Sequence, residues 1–340
     1  MLKNEDILQY IEANPALSSK EIHEKVGAEV SYATVKRMLS KLVSDNLLHV
    51  EKRKYHIAPT YNLFRQIDID SYFQKEIDER AIQETFNFEL IELLSGNIQL
   101  FSEKELALLS SLHQLFKENI SRLSQTEYSK EMERLGIDLS WKSSQIEGNT
   151  YSLLETEHLL REKQTAAGKT KEEATMLLNH KDALNFVLQH PDYLTPLSVA
   201  KIEDIHRILV KELGVDKNIR ARRVGITGTN YTPLDNEFQI REALEAACDA
   251  INLRENVFEK ALLALLFISY IQPFGDGNKR TARIVSNAIL LANDCCPLSF
   301  RTVDSIDYKN AMLLFYEQNN ITAFKKIFIE QTEFAVKTYF

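Results

Sequence analysis

The sequence predicts a mainly α-helical protein of two or three units, with strands confined to two short hairpins. Three observations carry that expectation. The 340 residues include only ten Gly and seven Pro. Leu, Ala, Glu and Lys recur at three- and four-residue spacing over long stretches. Strand signals gather only at residues 48–57 and 224–233. An apolar content of 44% supplies a sizeable core for a chain of this length.

Residues 5–14, 18–26 and 31–45 each carry apolar residues at helical spacing, separated by Asn14-Pro15 and by Gly27. Ser31 fits the N-cap of the third helix, which turns Val35, Met38, Leu39 and Leu42 inward and leaves Tyr32, Lys36 and Arg37 exposed. Residues 48–57 alternate like a small hairpin. Three helices and a basic hairpin resemble a winged helix-turn-helix over residues 1–60, with the third helix as recognition helix and Lys52, Arg53 and Lys54 in the wing. Such a module serves DNA binding, protein contact or dimerisation, so DNA, a partner protein and a second copy of the chain are all candidate partners. The break at Ala58-Pro59 ends this module; residues 61–135 read as a helical connector, and residues 136–340 as the main domain.

Charge and cysteines narrow the function classes. A formal net charge of −8 argues against a protein coated in nucleic acid. Residues 1–60 carry nine Lys/Arg against eight Asp/Glu, so a DNA-facing surface belongs to this end of the chain. The N-terminus lacks the basic start and apolar run of a leader, and the most apolar stretch, residues 261–271, falls well short of the ~20 residues that cross a membrane. The expectation is a cytoplasmic protein without membrane contact. Three cysteines, Cys248, Cys295 and Cys296, form neither a disulfide framework nor a metal-ligand spacing, and the eight histidines form no metal motif.

The most informative stretch lies between two apolar helices. Pro273 stops the first, Gly275 and Gly277 let the backbone turn, and a second helix begins near Asn278 with Ala282, Val285, Ile289 and Ala292 on its buried face. The first turn of that helix offers free backbone N–H groups and a positive dipole end, and Arg280 and Arg283 project from it. Together these make a polyphosphate cradle. Asp276 can hold Mg²⁺ by one carboxylate, with phosphate oxygens and water completing the shell.

In register with this loop, Pro273-Phe274, Asp276-Gly277-Asn278, Lys279-Arg280 and Arg283 resemble the Fic family motif HxFx(D/E)GN(G/K)RxxR, and Gln272 stands where the family has its histidine. The resemblance covers roughly residues 90–310. It implies a helical Fic core that transfers AMP from ATP to a Tyr, Thr or Ser hydroxyl of a target protein, with Asp276 on Mg²⁺. Asn278 would support the loop and phosphates, and Arg280 and Arg283 would clamp the β- and γ-phosphates. Glutamine has no titratable site to accept the hydroxyl proton, so activity is in doubt at this position. The second function class is a non-catalytic regulator, in which the core senses nucleotide and the N-terminal module binds DNA or a partner.

Upstream, Ser143 and Glu147 lie four apart on one face of a helix over about 139–148 that Gly148 can end. They resemble the (S/T)xxxE(G/N) inhibitory motif of Fic proteins, which implies a Glu147–Arg283 pair that competes with the γ-phosphate. In some family members the same glutamate helps remove AMP instead. Residues 224–233 resemble the family's flap, a β-hairpin that takes the target segment as an added strand. Within it, Tyr231 and Thr229 are candidates to face the target. His206 reads as a packed core histidine that nothing aims at the loop, Trp141 and Tyr151 as packing residues, and Lys142 as solvated.

Overall fold

A computed structural model describes residues 2–96 and 98–340. Among the described residues the chain forms sixteen α-helices and one two-stranded antiparallel sheet. The expected mainly α fold is therefore observed. The N-terminal unit is α1 (Asn4–Ala13), α2 (Ser19–Lys25), α3 (Tyr32–Ser44), β1 (Leu48–Glu51) and β2 (Lys54–Ile57), with Leu48 opposite Ile57 and Glu51 opposite Lys54. Ser31 caps α3 by accepting from the Thr34 amide, and Val35, Leu39 and Leu42 are buried while Met38 is half-buried. The hairpin turns on Lys52 and Arg53, both with positive φ, as a tight two-residue turn demands.

Between this unit and the main helices run α4 (Tyr61–Phe64), α5 (Ile69–Phe73), an extended stretch, and α6 (Phe88–Ser95). Then follow α7 (Glu103–Ile120), α8 (Gln125–Ile146), α9 (Leu153–Glu162), α10 (Lys171–Gln189), α11 (Val199–Leu209), α12 (Glu237–Leu253), α13 (Val257–Ile271), α14 (Asn278–Leu291), α15 (Ser305–Gln318) and α16 (Thr322–Tyr339). Local chemistry sets many of these starts. Ser18/Glu21, Ser102/Glu105, Ser124/Glu127, Ser152/Glu155 and Thr170/Glu173 each form a reciprocal capping box, in which hydroxyl and carboxylate each satisfy an otherwise orphan amide.

The core is built around α13 and α14, which pack side by side beneath the loop that joins them. Every side chain of α13 from Ala261 to Ile271 is buried, which explains why this stretch lacks a polar face. On α14, Ala282, Val285 and Ile289 are buried as expected, but so are Thr281, Arg283, Ser286 and Asn287, because α10, α11 and α8 also pack against it. Ala292, expected on the buried face, is its half-buried C-cap. All three cysteines are buried and unpaired, and burial pushes the thiols of Cys248 and Cys295 up to about 12. No helix among the described residues is long and apolar enough to cross a membrane.

The segment 224–233 differs from the expected hairpin. It folds back at Thr227-Gly228 but forms no ladder between its own arms; its one β-type contact is a bridge from Thr232 to Thr85. The backbone groups of its second arm are drawn outward instead, with the Thr232 amide donating to the Glu84 carbonyl at 2.7 Å. Tyr231 does not face outward: it is buried, with its hydroxyl donating to the Tyr270 carbonyl at 3.0 Å.

Because α13 is enclosed on all sides, Leu265→Ala should destabilise the protein by about 2–5 kcal/mol in a denaturant titration. Leu253→Ala, at a position 73% exposed, should stay within about 0.5 kcal/mol of the parent.

Candidate functional site

The α13–α14 loop is a tightly braced turn. Gln272 ends α13 in the left-handed conformation (φ 51°) and Pro273 forbids continuation. Gly277 precedes α14 with φ +81°, and a Cβ there would come within 3.3 Å of the Val210 side chain, so both backbone and space select glycine. Asn278 clasps the turn from inside: its Oδ1 accepts from the Phe274 amide and its Nδ2 donates to the Phe274 carbonyl, each at 2.8 Å. The same Nδ2 donates to Gln272 Oε1 at 2.9 Å. Gln272 Nε2 donates in turn to the Ser269 carbonyl at 2.6 Å, so the amide is committed at both ends.

Two residues outside the loop hold it from below. Arg220, buried, donates from Nε to the Gln272 carbonyl at 2.6 Å, and its amide donates to the Pro273 carbonyl at 3.0 Å. His206 stacks flat on Phe274, with centroids 3.7 Å apart, and its Nε2 lies 3.0 Å from the Asp276 carbonyl oxygen. It is a packed core histidine as expected, but the expectation that nothing aims it at the loop fails, because the turn of α11 delivers it directly beneath. Burial keeps it largely neutral by lowering its pKa, against the opposing hydrogen bond to the Asp276 backbone. Neither Arg220 nor the reach of His206 was legible from sequence, since each comes from a distant segment and matches no spacing rule.

The two arginines of α14 are among the largest fully buried side chains. Arg283 donates from Nε to Ser143 Oγ at 2.8 Å and from Nη2 to the Ser143 carbonyl at 3.0 Å and Glu147 Oε1 at 2.8 Å, while its guanidinium lies 5.2 Å from the Tyr308 ring centroid. Lys279 Nζ reaches Glu147 Oε2 at 3.5 Å. Arg280 donates from Nη2 to Asp276 Oδ2 at 2.9 Å. Burial alone would raise the Glu147 pKa, but the charges of Arg283, Lys279 and Arg280 and the hydrogen bond from Arg283 outweigh it and hold the carboxyl below its ordinary 4.5. His180 in α10 is fully buried near both arginines; burial first, then their charges, push its pKa down to about 3, so it adds no positive charge there.

Glu147 sits where α8 ends. The helix stops at Ile146, Glu147 is the C-cap, and Gly148 follows with φ +97°. Glu173 secures the next turn by accepting from the Thr150 amide and hydroxyl at 2.8 and 2.6 Å, and these contacts with those from Thr170 lower its pKa to about 2. Trp141 packs as expected, donating to the Tyr151 carbonyl at 3.1 Å. Lys142 departs from the solvated expectation: it is buried, lies over the Trp141 ring and donates to Gln145, because α15 and α16 cover this side of α8.

Above the loop opens a cavity of about 490 Å³. Glu147, Gln272, Gly275, Asp276, Gly277, Asn278 and Lys279 line one side, and residues 224–227 with Ile306, Lys309 and Leu313 the other. The structure thus brings the loop, the α8 glutamate and the first arm of the 224–233 segment to one cavity, of a volume suited to a nucleotide-sized ligand. Among the described residues no group of three or more His, Cys, Asp or Glu could enclose a metal, so any ion here would rely on Asp276, 63% exposed, together with ligand oxygens.

The Fic/DOC family profile matches residues 196–290, the stretch that holds His206, the 224–233 segment and the loop. Over that stretch the chain resembles a Fic/DOC domain. The penicillinase repressor profile matches residues 3–114, in keeping with the winged-helix unit at this end. The chain is 24% identical over 265 residues to the protein adenylyltransferase fic-1 of Caenorhabditis elegans, covering 74% of this chain and 51% of that protein. It is 29% identical over 176 residues to the protein adenylyltransferase Fic of Nematostella vectensis, covering 49% of this chain and 40% of that protein. It therefore spans about half the length, or less, of these curated relatives. Among solved structures, a fragment of Fic-1 from C. elegans superposes with a TM-score of 0.60 at 23% identity, covering 69% of this chain and 71% of that one. A Fic-domain-containing signaling protein of Bacteroides thetaiotaomicron does so with a TM-score of 0.56 at 21% identity, covering 68% and 96%. These structural likenesses establish the shared fold.

Both carboxylates titrate below their ordinary range, so the stability they contribute is complete above pH about 4.5 and is lost as pH falls through their folded-state values. Glu147→Gln should cost about 1.5–3 kcal/mol at pH 7. The gap from the parent should close on acidification below pH 4, as followed by thermal unfolding across pH.

Proposed function

We propose that this chain binds Mg-ATP at the α13–α14 loop and belongs chemically to the protein adenylyltransferases, held off by Glu147 and slowed by Gln272. The triphosphate lies along the first turn of α14, with Gly275 and Gly277 allowing close backbone approach. Arg280 and Arg283 take the β- and γ-phosphates. The fit is supported by Arg280, whose Nε and Nη1 are buried with no hydrogen-bond partner among the described residues, although neither arginine itself lines the cavity. Asp276 would hold Mg²⁺, which when bound neutralises phosphate charge and orients the leaving group.

The observation that carries the inhibited reading is the Glu147–Arg283 contact at 2.8 Å, reinforced by Lys279. A γ-phosphate needs the same guanidinium, so carboxylate and nucleotide compete for one charge. For transfer, a Tyr, Thr or Ser hydroxyl of a target presented along residues 224–227 attacks the α-phosphorus, pyrophosphate leaves, and the hydroxyl proton must be accepted. Gln272 cannot accept it, and loss of a general base typically costs about 10²–10⁴ in rate.

That same residue favours a second reading, a nucleotide-sensing regulator without turnover. The Gln272 amide is engaged inward by Ser269 and Asn278 rather than left free toward the cavity. The N-terminal unit, with Lys36 and Arg37 exposed on α3 and Lys52, Arg53 and Lys54 exposed in the wing, would then bind DNA or a partner. ATP-dependent change in DNA affinity would support this reading.

Titration calorimetry of ATP should show Glu147→Gly binding at least tenfold tighter than the parent; equal affinities would remove the brake. Restoring histidine in Gln272→His/Glu147→Gly should raise AMP incorporation into protein by about 10²–10⁴ over Glu147→Gly alone. Silence of the double variant with every nucleoside triphosphate would overturn the transferase chemistry.

A further inference from the structure

The stretch that links the N-terminal unit to the main helices, residues 78–86, does not simply cross the surface. Arg80 is buried and makes a two-ended contact: Nη1 donates to Glu317 Oε1 at 3.1 Å and Oε2 at 3.3 Å, and Nη2 donates to the Gly228 carbonyl at 2.8 Å, at the tip of the 224–233 segment. Glu317 also accepts from the Tyr72 hydroxyl at 2.7 Å, and both charged side chains are nearly inaccessible, at 4% and 0%. Farther along, Asn230 Nδ2 donates to Asp78 Oδ1 at 3.0 Å and the Thr232 amide to the Glu84 carbonyl at 2.7 Å. Phe86 then stacks on Tyr270, which also stacks on Tyr231, with centroids 4.8 and 4.9 Å apart. The link is thus fastened to the second arm at its tip, middle and base.

The first arm has the opposite character. Residues 224–227 line the cavity, and no backbone–backbone hydrogen bond among the described residues engages them. An extended chain can pair only with an edge whose amides and carbonyls are free. We propose that residues 78–86 are a fixed part of the docking site, with Arg80 as its positioning residue: they occupy one arm of the flap and leave 224–227 as the edge that takes an extended, hydroxyl-bearing polypeptide. This rests on the reading of the cavity as the place where a target hydroxyl meets nucleotide. The guanidinium fork is what the role requires, because one planar group must satisfy a buried carboxylate on α15 and a carbonyl on the flap at once. A lysine, a single point charge, keeps the ion pair and gives up the carbonyl.

Hydrogen exchange of the full chain read by mass spectrometry tests this with Arg80→Lys and Arg80→Ala. In the parent, the amides of Tyr231 and Thr232, which donate to Thr229 Oγ1 and to the Glu84 carbonyl, should be protected. In Arg80→Lys they should exchange at least tenfold faster while α13 and α14 amides and the melting temperature stay near parental values. Arg80→Ala should release the same amides and also melt earlier, because Glu317 keeps the Tyr72 hydroxyl but is left buried without a countercharge. Flap amides that remain at parental rates in Arg80→Lys, or that are unprotected in the parent, would overturn the proposal. Calorimetry separates it from the nucleotide reading. Arg80→Lys/Glu147→Gly should bind ATP as Glu147→Gly does, and a changed affinity would show that Arg80 acts through the nucleotide loop instead. If Glu147→Gly binds no ATP at all, the nucleotide reading fails while the exchange result still decides the role of Arg80.

Discussion

The guanidinium of Arg283 is the group on which the site depends. At zero exposure it must be neutralised and hydrogen-bonded, since an uncompensated charge at such depth costs several kcal/mol. Three residues from two helices meet that demand together: Ser143 and Glu147 from α8, and the ring of Tyr308 from α15. The end of α8 is consequently held against the start of α14, and Gly148, Thr150 and Glu173 arrange the chain beyond it so that the carboxylate stays in reach. Any anion that replaced Glu147 would have to deliver equal charge to the same donors.

The loop itself is rigid by a different device. Its hydrogen bonds run inward, from Asn278 to both polar groups of Phe274 and from Arg220 to the backbone of Gln272, while the open side is left to Gly275, where an added Cβ would meet nothing within 4 Å. Preorganisation of this kind costs no rearrangement when a ligand arrives. Gln272 borders the cavity but its amide belongs to the bracing, and its left-handed backbone is set by its place as the cap of α13.

Much of this was legible in the sequence, for identifiable reasons. Helix starts follow capping boxes written in consecutive residues, and α13 shows its burial by lacking a polar face. The loop, Ser143 and Glu147 are likewise local patterns, so their residues could be named; Glu147 and residues 275–279 line one cavity, while Ser143 is buried behind it against Arg283. What escaped is what long-range contact decides. Lys142 looks solvated until α15 and α16 cover it, and Tyr231 looks like an outward residue until Tyr270 and Tyr316 stack beside it. The 224–233 segment carries β-branched residues and glycines that suit a hairpin, yet the link from the N-terminal unit competes for its second arm and no internal ladder forms. Arg80 and Glu317 lie so far apart in the chain that no spacing rule joins them.

The wing of the N-terminal unit has its own consequence. A two-residue hairpin turn is made with least strain by Asn-Gly, yet here Lys52 and Arg53 adopt left-handed backbones at about 1–2 kcal/mol each. Evolution of such a tip toward a relaxed backbone would cost it two cations at the outermost point of the module. Its positive charge and its conformational tension are therefore inseparable, since the residues that carry the one also bear the other.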